Sequence, residues 1–487
     1  MVPFLALHLD RRARAGLQRQ LYDELRAAIL CGRLTPGARL PASRVLASDL
    51  GVSRNTVTGA FDQLLAEGYL EGRVGSGTYV ARTLPEELLR VRASDAAARK
   101  PRTAARRLSR RGRVLATTPV ALRRDLALPR AFLPGVPALD EFPRDLWARL
   151  ASRLMRHAPA SLLTYADSAG YRPLRRAIAE HLRAARGVRC TADQVIVTAG
   201  SQQALDLAAR VLLDPGNTAW VEDPGYLGSR AALQGAGVRC APIPVDGDGL
   251  RVEVGLRRSP EARLACVTPS HQYPLGVTMS LPRRMALLEW ARRRSAWIVE
   301  DDYDSEFRYA GRPLAALQGL DTAGLVVYTG SFSKVLFPAL RLGYLVVPEG
   351  LVDAFLSARA LTDRHSPGLE QAIVAEFIEA GHFGRHVRRM RALYAERRQM
   401  LAEALERELG GGIEVTGGEA GMHLVAWLSG HASDRDVSER AAAAGIIAPP
   451  LSAYTMRARI RPGLRLGYAA LSERQIREGV RILAKVL

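Results

Sequence analysis

Of the 69 lysines and arginines in this 487-residue chain, only Lys100, Lys334 and Lys485 are lysine. Where a plain positive charge would serve, the sequence uses arginine, so a lysine in an ordered apolar context invites the question of what guanidinium lacks. Lys334 follows the apolar run LVVYT and the turn GSFS. A desolvated amine there has a lowered pKa and can attack a carbonyl carbon, whereas guanidinium forms no Schiff base. An ordinary snorkelling lysine fits the same position. Asp301 and Asp302 follow AWIVE; one of them can pair with a protonated ring nitrogen, or serve only as a capping carboxylate. TAGSQQAL (198–205) sets Gly200, Ser201 and Gln202 at the start of a helix, a natural phosphate cradle, although small residues begin many helices. Ser331, Ser333 and Arg341 can add phosphate contacts beside Lys334. An aldehyde-accepting amine, a pyridinium partner and a phosphate cradle together specify pyridoxal 5′-phosphate.

These groups need a scaffold that brings them together. Five short apolar runs end in polar clusters: VIVT at TAGSQQAL, TAWV at EDPGY, LACVT at PSHQYPLG, AWIV at EDDY and LVVYT at GSFSK. Helical segments separate most of them. This βαβ rhythm predicts a largely parallel sheet, whose ligands bind outside the carboxyl ends of the strands, and all five clusters fall on that edge. No repeat of 20–50 residues occurs, which excludes solenoids and propellers.

Residues 1–81 read differently. Leu17, Leu21, Leu25 and Ile29 recur at helical spacing. After the turn CGRLTPGARLP, Ser43 is expected to cap a short helix carrying Leu46 and Leu50 and stopping at Gly51. Ser53 is expected to cap a third helix with Val57, Phe61, Leu64 and Leu65 on one face, ending at Gly68. YLEGRVGSGTYVAR then gives two strands around a glycine turn. Three helices and a hairpin make a winged helix-turn-helix. Between this unit and the α/β region, residues 82–130 carry net +10 of the chain's +20. Their lack of apolar periodicity reads as a basic, flexible linker, acting as a self-repelling spacer or as a phosphate-binding arm. The charge excess favours a polyanionic partner. No run of about 18 uncharged apolar residues appears, which excludes a membrane helix. MVPFLALHLDRR places its charges after a short apolar stretch, unlike a secretory signal. The scattered Cys31, Cys190, Cys240 and Cys266 suit a reducing compartment rather than a zinc or disulfide framework. The expected location is the cytoplasm, with no metal.

The ordered set LPASRVLASDLGVSRNTVTGAFDQLLAEGYL, GSGTYV, TAGSQQALDL, VEDPGY, TPSHQYPLG, VEDDYDSEFRY, SFSKVLFPALRLGY and LRLGYA resembles the MocR subfamily of GntR-type transcriptional regulators. The resemblance implies a multidomain chain: a GntR-type winged helix-turn-helix (1–81, α+β), the linker (82–130), and an aminotransferase-like α/β domain of the pyridoxal-phosphate-dependent transferase fold type I (131–487). It makes Lys334 the aldimine lysine and Asp301 the pyridine-nitrogen partner. The Asp301-to-Tyr303 spacing is one residue shorter than in many aminotransferases, which keeps Asp302 as the alternative. Tyr303 would reach the phenolic oxygen of the cofactor and Tyr226 would stack on its ring. Ser201, Gln202, Ser331, Ser333 and Arg341 would hold the phosphate, joined by Tyr165 lent from the partner of a head-to-tail homodimer. Arg465 would clamp the carboxylate of an amino compound. Tyr273 stands where aminotransferases place an asparagine. In the DNA-binding unit the resemblance assigns Arg44, Ser53, Arg54, Asn55 and Thr56 to phosphates and base edges, and Gly75, Ser76 and Gly77 to the wing tip.

Two functions fit. One is a regulator that senses the cofactor or an amino compound and binds a double-stranded operator with two half-sites. The other is an active aminotransferase with a DNA-binding appendage. A purely architectural DNA-binding protein leaves the residues around Lys334 unexplained.

Overall fold

The computed structural model describes residues 7, 9–11, 13, 15–73, 76–84, 108–117, 131–309, 315–430 and 432–487. They divide into two compact units, Met1–Arg107 and Leu108–Leu487.

In the first unit, α1 (Leu17–Leu30) buries Leu21, Leu25 and Ile29, the face its spacing predicts. The short α2 (Ser43–Leu50) buries Leu46 and stops at Gly51, whose φ of 62° lies in the left-handed region. Ser43 is the first residue of this helix and makes no cap bond, contrary to expectation. Helix α3 (Arg54–Ala66) is capped as expected: Ser53 Oγ accepts from Thr56 N at 3.1 Å. Its Val57, Phe61 and Leu64 meet Leu21 and Leu25 in a single core. Strands β1 (Leu70–Arg73) and β2 (Gly77–Val80) pair antiparallel, with Leu70 opposite Val80.

The second unit begins with a helix inside the stretch that composition read as a flexible basic linker. Helix α4 (Arg110–Thr117) is held by Arg111 Nε, which donates to Gly235 O at 2.8 Å. Helices α5 (Arg144–His157) and α6 (Arg172–Arg186) follow. Then come β3 (Val195–Thr198), α7 (Ser201–Leu212), β4 (Thr218–Asp223) and α8 (Leu227–Gly235). The hairpin β5 (Arg239–Asp246) and β6 (Gly249–Leu250) leads to α9 (Val252–Arg258), β7 (Leu264–Val267), α10 (Leu281–Arg294) and β8 (Trp297–Asp302). After α11 (Leu317–Leu320), β9 (Val326–Ser331) runs directly into α12 (Phe332–Val335), and β10 (Gly343–Val346) returns. Among the described residues these strands form an eight-stranded sheet in the order β3-β10-β9-β8-β7-β4-β5-β6. The β5–β4–β7–β8–β9 run is parallel, whereas β10 is antiparallel to both β3 and β9.

Both faces of the sheet are covered, so both alternating sets of side chains are apolar. Trp220, Ala265 and Ile298 enter one core, and Val221, Cys266 and Val299 the other. Trp220 stacks on Trp290 of α10 with ring centroids 3.9 Å apart. Helices α13 (Val352–Asp363), α14 (Gly368–Glu379) and α15 (His382–Leu409) lead to a second, three-stranded antiparallel sheet. Its strands are β11 (Ile413–Thr416), β12 (His423–Leu428) and β13 (Gly463–Gly467), flanked by α16 (Asp434–Ala443) and α17 (Glu473–Val486). Among the described residues no helix is long and apolar enough to cross a membrane.

The end of β8 is tied to α6 through a buried ion pair. Arg186 Nε donates to Asp302 Oδ2 at 2.9 Å, Tyr328 Oη donates to the same oxygen at 2.6 Å, and Arg186 also donates to Ser270 Oγ at 2.6 Å. Removing one partner of such a pair strands the other charge in the interior. We therefore expect Asp302→Ala to destabilise the chain by about 3–5 kcal/mol, read from denaturant unfolding. An unchanged midpoint would show that Arg186 finds another anion or reaches water.

Candidate functional site

The carboxyl ends of β4 and β8 carry six buried carboxylates: Glu222, Asp223, Glu300, Asp301, Asp302 and Asp304. Burying a carboxylate is costly unless its oxygens are bonded. Glu222 accepts from Thr268 N and Oγ1 and from Gln272 Nε2. Asp223 accepts from the backbone N–H groups of Met456, Arg457 and Ala458, each at 2.7 Å. Glu300 accepts from Leu317 N and Gln318 N, Asp302 from Arg186 and Tyr328, and Asp304 faces His271. Asp301 differs: its Oδ1 has no partner among the described residues. Burial, reinforced by Asp302, Glu222 and Asp304, pushes its carboxyl up to about 7. Neighbours on a strand point to opposite faces, so Asp302 serves the core while Asp301 lines a cavity.

Lys334 enters the same cavity from α12, its Nζ donating to Gly135 O at 2.8 Å. Burial and the nearby Arg465 bring its ammonium down to about 8, against the opposing pull of Asp304 and Asp301. The cavity is also lined by Ser201, Tyr226, Tyr273, Tyr303, His423 and Arg465. Arg465, on β13, stands with its guanidinium carbon 4.4 Å from the centre of the Tyr273 ring and 5.0 Å from that of Tyr454. Tyr226 and Tyr303 both meet Tyr273 edge-on.

Of the residues expected at the phosphate, Ser201 and Gln202 open α7 and Arg341 lies beside its start. Gly200 precedes that helix at φ 117°, and a side chain there would stand 3.4 Å from Arg341. Gln202 turns its side chain away, donating to Gly228 O at 3.0 Å, so its backbone N–H is what the helix start offers. Ser331 Oγ accepts from Ser333 N at 3.2 Å, and both serines are buried. Tyr165 is not brought to the cavity of its own chain: it is 78% exposed, with Arg364 over its ring. Sequence inspection gave no role to His271, Asp304, His423 or Tyr454, although the first two lie inside PSHQYPLG and EDDYD.

In the first unit, Arg44 opens α2 with Ser43, and Arg54 and Asn55 open α3, all three exposed. Ser53 and Thr56 bond to each other at 2.8 Å and secure the helix start. At the wing, Ser76 N donates to Arg73 O at 3.0 Å, and Gly77 has φ 111° against the Arg39 side chain. Gly75 lies outside the described residues.

Residues 17–80 match the family described as bacterial regulatory proteins, gntR family, and residues 139–483 match aminotransferase class I and II. The probable rhizopine catabolism regulatory protein MocR of Rhizobium meliloti is 45% identical over 98% of this chain and 95% of that protein. The HTH-type transcriptional regulator TauR of Rhodobacter capsulatus is 35% identical over 100% of this chain and 99% of its own length. Among solved structures, the α-aminoadipate aminotransferase LysN of Thermus thermophilus, complexed with N-(5′-phosphopyridoxyl)-L-leucine, is similar with a TM-score of 0.71 and 31% identity. That likeness covers 77% of this chain and 96% of LysN. The α/β unit is thus a fold-type I aminotransferase domain whose cofactor is pyridoxal phosphate, and the unpaired Asp301 oxygen beside a buried lysine fits that group. With its likeness to MocR sustained over almost the whole of both proteins, the chain belongs to the MocR subfamily of GntR-type transcriptional regulators.

Proposed function

We propose that this chain is a DNA-binding transcriptional regulator whose aminotransferase-like domain senses pyridoxal phosphate or an amino compound that meets it there. The observation that carries this is one cavity holding a lysine of lowered pKa, a buried carboxylate with one oxygen unpartnered among the described residues, and an arginine on an aromatic bed. In this reading Lys334 bonds the cofactor aldehyde and Asp301 pairs with its ring nitrogen. Tyr303 faces its phenolic oxygen and Tyr226 its ring. Ser201, the N–H of Gln202, Ser331, Ser333 and Arg341 hold the phosphate, with Tyr165 supplied to the partner's site. When bound, the cofactor supplies an electrophilic carbon and an electron sink. Arg465 receives the carboxylate of the amino compound, its guanidinium already oriented by Tyr273 and Tyr454. Arg44, Arg54 and Asn55 reach the operator, Arg54 and Asn55 from the first turn of a recognition helix, while Ser53 and Thr56 fix that turn and Ser76 and Gly77 form the wing.

The stretch between the units supports a sensing role. Arg111 seats α4 on Gly235 at the far end of α8, the helix that begins directly after Tyr226. Residues 85–107 are all that separate this docked segment from the DNA-binding unit's last described residue.

Four outcomes follow. Borohydride reduction of the reconstituted protein should fix the cofactor to Lys334; a label on Lys100 or Lys485 would remove the assignment. Because a lowered pKa favours the free amine, about a tenth of Lys334 is unprotonated at pH 7, against roughly one part in three thousand for an ordinary lysine. The rate of cofactor capture by stripped protein should therefore rise through about pH 8 and level off above it; a rise continuing past pH 10 would mean an unperturbed amine. Arg54→Ala should weaken operator binding by about 1–3 kcal/mol and relax sequence preference if the contact is bidentate to a base. An unchanged footprint and affinity would mean that α3 does not read the operator. Finally, the chain should sediment as a homodimer at micromolar concentration, and a monomer that holds the cofactor tightly would contradict a site shared through Tyr165.

A further inference from the structure

Behind Tyr303 lies a buried pair that none of these roles employs. His271 Nδ1 sits 3.0 and 3.1 Å from the two carboxylate oxygens of Asp304 and 3.0 Å from Tyr303 Oη. His271 and Asp304 are 2% and 1% exposed. The imidazole is clamped: a Cβ on Gly421 would stand 1.9 Å from its Cε1, and one on Gly276 3.2 Å from its Nε2. Nε2 has no partner among the described residues, so the ring acts through Nδ1. His423, 5.1 Å away between ring centroids, is committed elsewhere, its Nε2 bonded to Pro274 O at 3.0 Å.

The proton positions follow from donor chemistry. A carboxylate only accepts, so a bond between Asp304 and Nδ1 requires the proton on Nδ1. A protonated Nδ1 cannot accept from Tyr303. The tyrosine hydroxyl proton is therefore not spent on the histidine, and it is left for the cavity that Tyr303 lines. Burial, with Asp304 and Tyr273 adding to it, holds this phenol well above its ordinary pKa, so the proton stays on. Asp301 and Arg465 also face Tyr303. Tyr273 is engaged by Arg465 and Tyr454.

We infer that His271 and Asp304 are a positioning pair that aims the Tyr303 hydroxyl proton at the phenolic oxygen of the cofactor. This rests on the role of Tyr303 proposed above. Donation to that oxygen favours the deprotonated form of the bound chromophore, so losing it raises the pH midpoint of the visible absorption change.

The test is that titration on the full-length chain reconstituted with pyridoxal phosphate. Tyr303→Phe should raise the midpoint by about one to two units, the size of a hydrogen bond to a charged group. His271→Phe should raise it in the same direction. His271→Asn, whose amide N–H can still serve Asp304, should return it toward the parent value. The double variant His271→Phe/Tyr303→Phe should shift no further than Tyr303→Phe alone. If His271→Phe does not hold the cofactor, Asp304→Asn decides. A neutral amide no longer fixes the proton on Nδ1 as the carboxylate does, so Nδ1 can accept from Tyr303 instead, and the midpoint should rise. A shift in Tyr303→Phe without one in His271→Phe or Asp304→Asn would overturn the positioning pair. No shift in Tyr303→Phe would instead overturn the role given to Tyr303.

Discussion

The α/β unit is organised around the burial of carboxylates at one edge of a parallel sheet. Each removes a negative charge from water, and each must be matched by donors that the fold brings from elsewhere. The matching does much of the long-range assembly. Asp223 holds the backbone at 456–458, more than two hundred residues away in sequence. Glu300 anchors the start of α11, and Asp302 ties β8 to α6 through Arg186. Once these bonds are made, Asp301 stands apart because the pleat of β8 turns it the other way, into the cavity with an unbonded oxygen. Of the six carboxylates it is the one with an oxygen left without a partner among the described residues, and in the proposed reading that oxygen meets the ring nitrogen.

The use of arginine sharpens the same picture. Buried guanidinium groups serve as structural donors here: Arg186 to Asp302 and Ser270, Arg284 to three backbone carbonyls, and Arg397 to Ala469 O. Their planar, always-charged forks suit that work. Lys334 does something different. It shares its cavity with Arg465, and that cation together with desolvation keeps the amine partly unprotonated near neutrality. Arg465 keeps its own charge, resting against Tyr273 and Tyr454 instead of a carboxylate. Two cations in one cavity thus have opposite roles, one set to lose its proton and one set to keep it.

The strands, their polar ends and the winged unit were legible because each is a local pattern. VIVT, TAWV, LACV and the runs ending at Asp302 and Ser331 are all strands, and the DNA-binding helices bury the residues their spacing selects. Direction was not legible. GYLV forms β10, antiparallel in an otherwise parallel neighbourhood, because a four-residue strand buried on both faces looks the same either way round. That Asp302 is bonded within the core while Asp301 lines the cavity was not legible either, since Arg186, the partner of Asp302, is 116 residues away. His271 was hidden for the same reason. Its partner Asp304 is 33 residues on, and the glycine that makes room for its ring, Gly421, is farther still.

Helix α4, inside the basic stretch, was not legible for a related reason. RRGRVLAT has too few apolar residues to signal a helix by itself, and α4 buries none of its residues fully. What holds it is a surface feature of another element: the carbonyl of Gly235, at the C-terminal end of α8, where orphan carbonyls attract cations. Gly235 also lets Leu115 approach, since a Cβ there would stand 3.1 Å from its methyl. Helix α8 is nine residues long, about 13 Å from end to end. One end follows Tyr226 in the cavity and the other carries the seat of α4. The helix that begins beside the cavity thus also carries the seat of α4.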